Sequence, residues 1–212
     1  MERTFYFRGR RMPLGEKTYV MGIVNVTPDS FSDGNRYQDV SAALHHVKAL
    51  QQGGAEMIDI GAESTRPGYT PVAAEEEWSR LAPVLEAIKR QWPESIVSVD
   101  TQKAVVARRA IAAGADIIND IWGLSGDPDM LDVLADSDAG LILMYNRNPP
   151  WPDKMVSIEE MQTFFIRQVQ AAAQKGVDPL RIIIDPGIGF GYSVEDNWTV
   201  LRALDRFQNI GA

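Results

Sequence analysis

Along the chain, short runs in which even alternate positions stay apolar are separated by longer stretches with apolar residues three and four apart. The first pattern belongs to strands buried on both faces and the second to amphipathic helices. Their alternation predicts βα units around a parallel sheet. About six units are readable, with strand runs at Val20–Val26, Met57–Gly61, Ile96–Asp100, Ile117–Ile121, Gly140–Met144 and Ile182–Asp185. Between them, Ala73 to Gln91 predicts a helix with Trp78, Leu81, Leu85 and Ile88 on its packing face and Glu75, Glu76 and Glu86 largely elsewhere. Another helix is expected from about Val194 to Gln208. A weak repeat supports the plan, because Gly53-Gly54-Ala55-Glu56-Met57-Ile58-Asp59 echoes Ala113-Gly114-Ala115-Asp116-Ile117-Ile118-Asn119. In each copy a glycine should end a helix in the left-handed conformation and feed the chain straight into a strand.

Two parallel architectures fit this order, an open doubly wound sheet and a closed barrel. Gly187-Ile188-Gly189-Phe190-Gly191 is only a G-x-G-x-G and follows the last readable strand, so the dinucleotide fingerprint is missing. The expected fold is therefore α/β, a (β/α)8 barrel, forming one domain over residues 1–212 in which segment 1–17 leads into the first barrel strand. A complete barrel takes ~250 residues. Six units leave strands 7 and 8 unaccounted for, so an incomplete barrel is expected.

Composition narrows the function. The chain has 212 residues, 45% of them hydrophobic, and no cysteine, which removes disulfides and thiolate metal sites. Met1 to Leu14 has no long apolar core of the kind a secretory signal needs, and a cytoplasmic protein with no membrane partner is expected. The formal charge of −8 argues against a nucleic-acid surface, which needs a dense basic face.

In a barrel, polar residues at the carboxyl ends of strands converge on one rim and loops there carry function. Here those ends hold Asn25, Glu63-Ser64-Thr65-Arg66, Asp100, Asn119-Asp120 and Asp185. A single strand-end Asp is ordinarily a cap or turn residue. Several on one rim point to a ligand, and Asp100, Asn119 and Asp185 suit the edge of an aminopyrimidinone, where carboxylates accept N–H bonds and an amide can do either. Arg66 offers a fork for an anion. His45 and His46 are adjacent and face different ways on a predicted helix, which rules out an i, i+4 metal pair. The remaining candidate metal ligands are oxygens, Asn25 and a loop carboxylate, suited to Mg²⁺ bridged to a substrate phosphate.

With these residues in view, the chain closely resembles the dihydropteroate synthases from about Met21 onward. Met21-Gly22-Ile23-Val24-Asn25-Val26-Thr27-Pro28-Asp29-Ser30-Phe31-Ser32-Asp33-Gly34 is similar to the family's first signature, and Ile58 to Gly68 to its second. Ser98-Val99-Asp100-Thr101, Ile117 to Ile121 and Asp185-Pro186-Gly187-Ile188-Gly189-Phe190-Gly191 then follow in the family's order. The resemblance implies a (β/α)8 barrel that condenses 6-hydroxymethyl-7,8-dihydropterin diphosphate with p-aminobenzoate, usually with Mg²⁺, in folate biosynthesis. It implies that Asp100, Asn119 and Asp185 hold the pterin and that Met144 and Phe190 line its pocket. Asn25 would serve the metal and diphosphate, and Phe31, Thr65, Arg66 and Pro67 the p-aminobenzoate pocket. Family members are commonly dimers, so a homodimer is expected. Tyr145 stands where the family often has a histidine, and the family's lysine and serine of strand 7 and arginine and histidine of strand 8 are not assigned in this chain. Two other readings stay open: a pterin-dependent methyltransferase, against which the first signature argues, and a non-catalytic pterin-binding protein or inactive fragment.

Overall fold

Burial of apolar strands against amphipathic helices organises the chain, for which a computed structural model describes residues 3–26, 36–63, 71–146, 156–208 and 210. The residues group into two compact units, Gly15–Asn119 and Met1–Leu14 with Asp120–Ala212.

The Gly15–Asn119 unit contains β3 (Met21–Asn25), α1 (Arg36–Gln52), β4 (Met57–Gly61), α2 (Ala74–Gln91), β5 (Ile96–Asp100), α3 (Ala104–Ala112) and the start of β6 (Ile117–Asp120). The strands pair in parallel, with Asn25 opposite Gly61, Gly61 opposite Asp100 and Asp100 opposite Asn119. Every residue of β4 is buried, as its apolar run requires. On α2 the expected face packs inward: Leu81, Leu85 and Ile88 are fully buried, each contributing about 1.5–3 kcal/mol. Trp78 at the same face is only half-buried. Acidic Glu75, Glu76 and Glu77 open the helix and basic Lys89 and Arg90 close it, both matched to its dipole. Gly22 lets α1 lie directly on β3, since a Cβ there would come within 2.9 Å of Leu50 Cδ1.

The repeat identified in the sequence is a helix-ending device. Gly54 and Gly114 have φ of 100° and 105°, and the following N–H groups of Ala55 and Ala115 bond back to the carbonyls of Leu50 and Ala110. That is the Schellman pattern, and it also ends α5, where Gly176 has φ 94° and Val177 N bonds to Ala172 O.

The other unit holds β1 (Arg3–Phe7), β2 (Arg10–Leu14), α4 (Met130–Ala135), β7 (Gly140–Met144), α5 (Ile158–Gln174), β8 (Ile182–Asp185) and α6 (Val194–Arg202). The segment read as a lead-in is a β1–β2 hairpin, turned by Arg8 and Gly9 with φ of 46° and 69°. Two positive φ values in a two-residue turn match the twist of the flanking strands. Phe5, Phe7 and Met12 form its buried side, and Gly140 has no side chain because Phe5 occupies that space. Ser157 and Ser193 cap α5 and α6 by accepting from Glu160 N and Asp196 N. The helix expected to reach Gln208 stops at Arg202 and continues as a 3-10 turn over Leu204–Phe207.

β7 and β8 pair in parallel, with Met144 opposite Asp185. Within the Gly15–Asn119 unit the parallel strands follow sequence order from β3 to β6, as β7 and β8 do in the other.

After β6 the chain turns through Leu124 at φ 64°. The Asp120 carboxylate holds this turn, Oδ1 accepting from Trp122 N at 2.9 Å and Oδ2 from Leu124 N at 2.8 Å. Burial pushes the Asp120 carboxyl up to about 6, against the pull of those N–H groups. Because the folded value lies above the unfolded one, the native state binds this proton more tightly. The contribution is present at low pH and is lost as pH rises toward 6 and beyond. Relative to Asp120→Asn, the chain should lose on the order of 2 kcal/mol of unfolding free energy between about pH 3.5 and pH 7. Urea titrations at several pH values measure this, and parallel pH profiles for the two chains would refute it.

Candidate active site

In the Gly15–Asn119 unit, the pairing register decides which side chains share a face. Opposite residues of parallel strands point the same way and successive ones alternate, so Asn25, Asp59, Gly61, Ser98, Asp100 and Asn119 lie on one face. Asn25 is exposed at its end, and Asp100 and Asn119 are half-buried. Gly61 lies between Asn25 and Asp100 in the register, and a Cβ there would touch Asp100 Oδ2 at 3.4 Å and Asn25 Oδ1 at 3.8 Å. The face therefore keeps its polar groups at the strand ends with little bulk between them.

Below these ends lies a carboxyl whose role was not read from the sequence. Asp59 sits in the fully buried β4 and is 4% exposed. Its Oδ2 accepts Asn119 Nδ2 at 3.2 Å, across the intervening β5. Among the described residues, Asp59 Oδ1, Ser98 Oγ and Asn119 Oδ1 are buried without a partner at good hydrogen-bond geometry, although Ser98 stands close enough to Asp59 to act on its carboxyl. Burial pushes the Asp59 carboxyl up, and the neighbouring Ser98 and Asn119 side chains work against it. An acid amid Met57, Ile58 and Ile60 was the available signal, since an isolated buried carboxyl is costly without a purpose.

Next to Asp100, an ionic network braces the turn into α3. Lys103 pairs with both Glu63 and Glu77, and Thr101 Oγ1 donates to Glu77 Oε1 at 2.6 Å. Glu63 Oε2 also accepts Val72 N at 3.3 Å. Glu77, 1% exposed, is satisfied by Lys103 and Thr101, so an acid that the helical pattern would place outside is held inside.

In the other unit, Asp185 ends β8 and its Oδ1 accepts Gly187 N at 2.8 Å. Burial pushes its carboxyl up, opposed by that N–H. Gly187, Gly189 and Gly191 have φ of 74°, 87° and 70°, giving a turn that only glycine follows without strain. Phe190 N bonds to Gly187 O at 3.0 Å and Gly189 N to Asn197 Oδ1 at 2.8 Å, fixing the half-buried Phe190. Met144 is buried beside this turn, with its Cγ 3.5 Å from the place a Gly187 Cβ would take. Tyr145 donates its N–H to Asp185 O at 2.9 Å and packs its ring edge-on to Phe164, with centroids 5.1 Å apart. Phe31, Thr65, Arg66 and Pro67 lie outside the described residues. His45 and His46 are exposed on α1. Among the described residues there is no group of three His, Cys, Asp or Glu side chains placed to hold a metal.

Residues 21–212 match the family model described as pterin binding enzyme. A dihydropteroate synthase of Clostridium beijerinckii is 46% identical over 199 residues, covering 93% of this chain and 72% of that protein. The chain belongs to the dihydropteroate synthase family. Among solved dihydropteroate synthases, the Xanthomonas albilineans enzyme with 4-aminobenzoic acid superposes with TM-score 0.90 at 42% identity, covering all of this chain and 76% of that one. The Burkholderia cenocepacia dihydropteroate synthase complexed with 7,8-dihydropteroate gives 0.84 at 35% identity, covering 97% and 71%. The α/β fold with parallel strands read from the hydrophobic pattern is that of these dihydropteroate synthases.

Proposed function

We propose that the chain carries the pterin-binding part of a dihydropteroate synthase, joining 6-hydroxymethyl-7,8-dihydropterin diphosphate to p-aminobenzoate and releasing diphosphate and 7,8-dihydropteroate. The observation that carries this reading is the polar floor of one strand face, where buried oxygens of Asp59, Ser98 and Asn119 lack well-placed partners among the described residues. Such atoms cost about 1–3 kcal/mol each and are retained where a ligand or ordered water completes them. Asp100, Asn119 and Asp185 hold the pterin edge in this reading, and Met144 and Phe190 contact its ring. Phe31, Thr65, Arg66 and Pro67 serve the p-aminobenzoate.

Asn25 presents a hard amide oxygen at an exposed strand end, and this suits Mg²⁺, which takes most of its remaining ligands from water and substrate phosphates. When bound, Mg²⁺ neutralises charge on the departing diphosphate. The residues of this chain position the partners. An aromatic amine is already neutral at pH 7 and needs no strong base, so alignment and electrostatics supply most of the rate. No helix among the described residues is long and apolar enough to cross a membrane. A cytoplasmic location, a homodimer and a single pterin-binding domain over residues 1–212 belong to the same proposal, supported by the family resemblance.

The test is p-aminobenzoate-dependent release of diphosphate from the pterin diphosphate with Mg²⁺, using the 212-residue chain. Pterin binding is the expected result, and turnover would extend the reading to the whole reaction. Pterin binding without turnover would favour a non-catalytic pterin-binding protein, and no pterin binding by a folded chain would sink the proposal.

A further inference from the structure

The buried carboxyl of β4 does more than fill the sheet. The Asn119 amide on this strand face is tied from below, and what it shows a ligand depends on which way it is turned. Its Nδ2 is taken by Asp59 Oδ2 at 3.2 Å, and its Oδ1 is buried without a partner. Turning the amide over would set Asn119 Oδ1 against Asp59 Oδ2, oxygen against oxygen, so the carboxyl disfavours that state.

We propose that Asp59 is a positioning residue that fixes the Asn119 amide with its oxygen free, so that the site demands an N–H donor at that point of a bound heterocycle. The inference rests on the pterin reading above and refines it. With the amide turned this way, Asp100 and Asn119 both act as acceptors, and the ring they favour carries N–H groups along its edge. A 2-aminopyrimidinone has such an edge. Its 2-oxo counterpart puts a carbonyl where the amine was, and an acceptor then faces an acceptor. Ser98, opposite Asp59 in the register, keeps the floor beneath polar.

Calorimetric titration with 6-hydroxymethylpterin and with its 2-oxo (lumazine) counterpart tests this. The probes would be run against the unchanged chain, Asp59→Asn and Asp59→Leu. The unchanged chain should prefer the amino compound. Asp59→Asn still offers a carboxamide oxygen to Asn119 Nδ2 and should keep most of that preference. Asp59→Leu removes the acceptor and should shrink the preference by about tenfold or more, because an unfixed amide can turn to suit either probe. A merely structural role would lower the melting temperature and leave the ratio alone. A folded Asp59→Leu chain with the full preference would therefore overturn the proposal. If that variant fails to fold, Asp59→Ala, which also removes the acceptor, replaces it: loss of the preference with Asn119 intact supports the proposal and an intact preference overturns it. An unchanged chain that binds neither probe overturns the pterin reading and this inference together, whereas a preference indifferent to Asp59 overturns this inference alone.

Discussion

Asp100→Asn and Asp185→Asn, made one at a time, should each weaken pterin binding by about 10- to 100-fold, the value of a hydrogen bond to a charged acceptor. Asparagine keeps the size of the side chain and one oxygen, so Gly187 N at 2.8 Å from Asp185 Oδ1 retains an acceptor and the turn should survive. The loss would then report the missing charge. Acid should reproduce the Asp185 effect in the unchanged chain. Burial raises that carboxyl, and a ligand N–H needs its ionised form, so affinity is full at higher pH and falls as pH drops through the raised pKa. The Asp185→Asn chain should lack that component. Calorimetry across pH measures both, and unchanged affinity in the two variants would end the assignment of these acids to the pterin edge.

The largest effect on folding is expected from Gly187→Ala. Gly187 has φ 74°, and a Cβ there would press into the carbonyl oxygen of Tyr145, a backbone atom that cannot swing aside. Left-handed strain and a backbone collision together should cost about 2–4 kcal/mol. The damage would spread, because Tyr145 N–H bonds to Asp185 O and Phe190 N to Gly187 O. Thermal and urea unfolding should show the loss. Gly176→Ala is the control, since it has a similar φ of 94° but nothing within 4 Å of its Cβ, and it should lose only the conformational part. Equal losses in the two variants would show that the collision is relieved.

The parallel strands were legible because burial on both faces leaves an unbroken apolar run, and the strand-end residues Asp100, Asn119 and Asp185 stood out against it. The glycine turns were legible too, since only glycine follows φ near 100° without cost. The β1–β2 hairpin was not, because its turn is Arg8-Gly9 rather than the usual Asn-Gly, and arginines interrupt the alternation of Phe5, Phe7 and Met12. Glu77 was hidden for another reason. A helical wheel sends acids outward, and only the approach of Lys103 and Thr101 from the far end of β5 makes the inside habitable. The pairing of Asp59 with Asn119 joins residues sixty positions apart, beyond the reach of any local pattern.

β4 is buried along its whole length and hydrogen-bonded on both edges, to β3 and to β5. Backbone amides in such a strand exchange with solvent only when their whole unit opens, whereas frayed ends and surface turns exchange through small local excursions. Asp59 is carried by such a segment. On the proposed reading, an arriving heterocycle would meet a hydrogen-bonding pattern settled when the unit folded, and would spend none of its binding free energy on choosing which way the amide should turn.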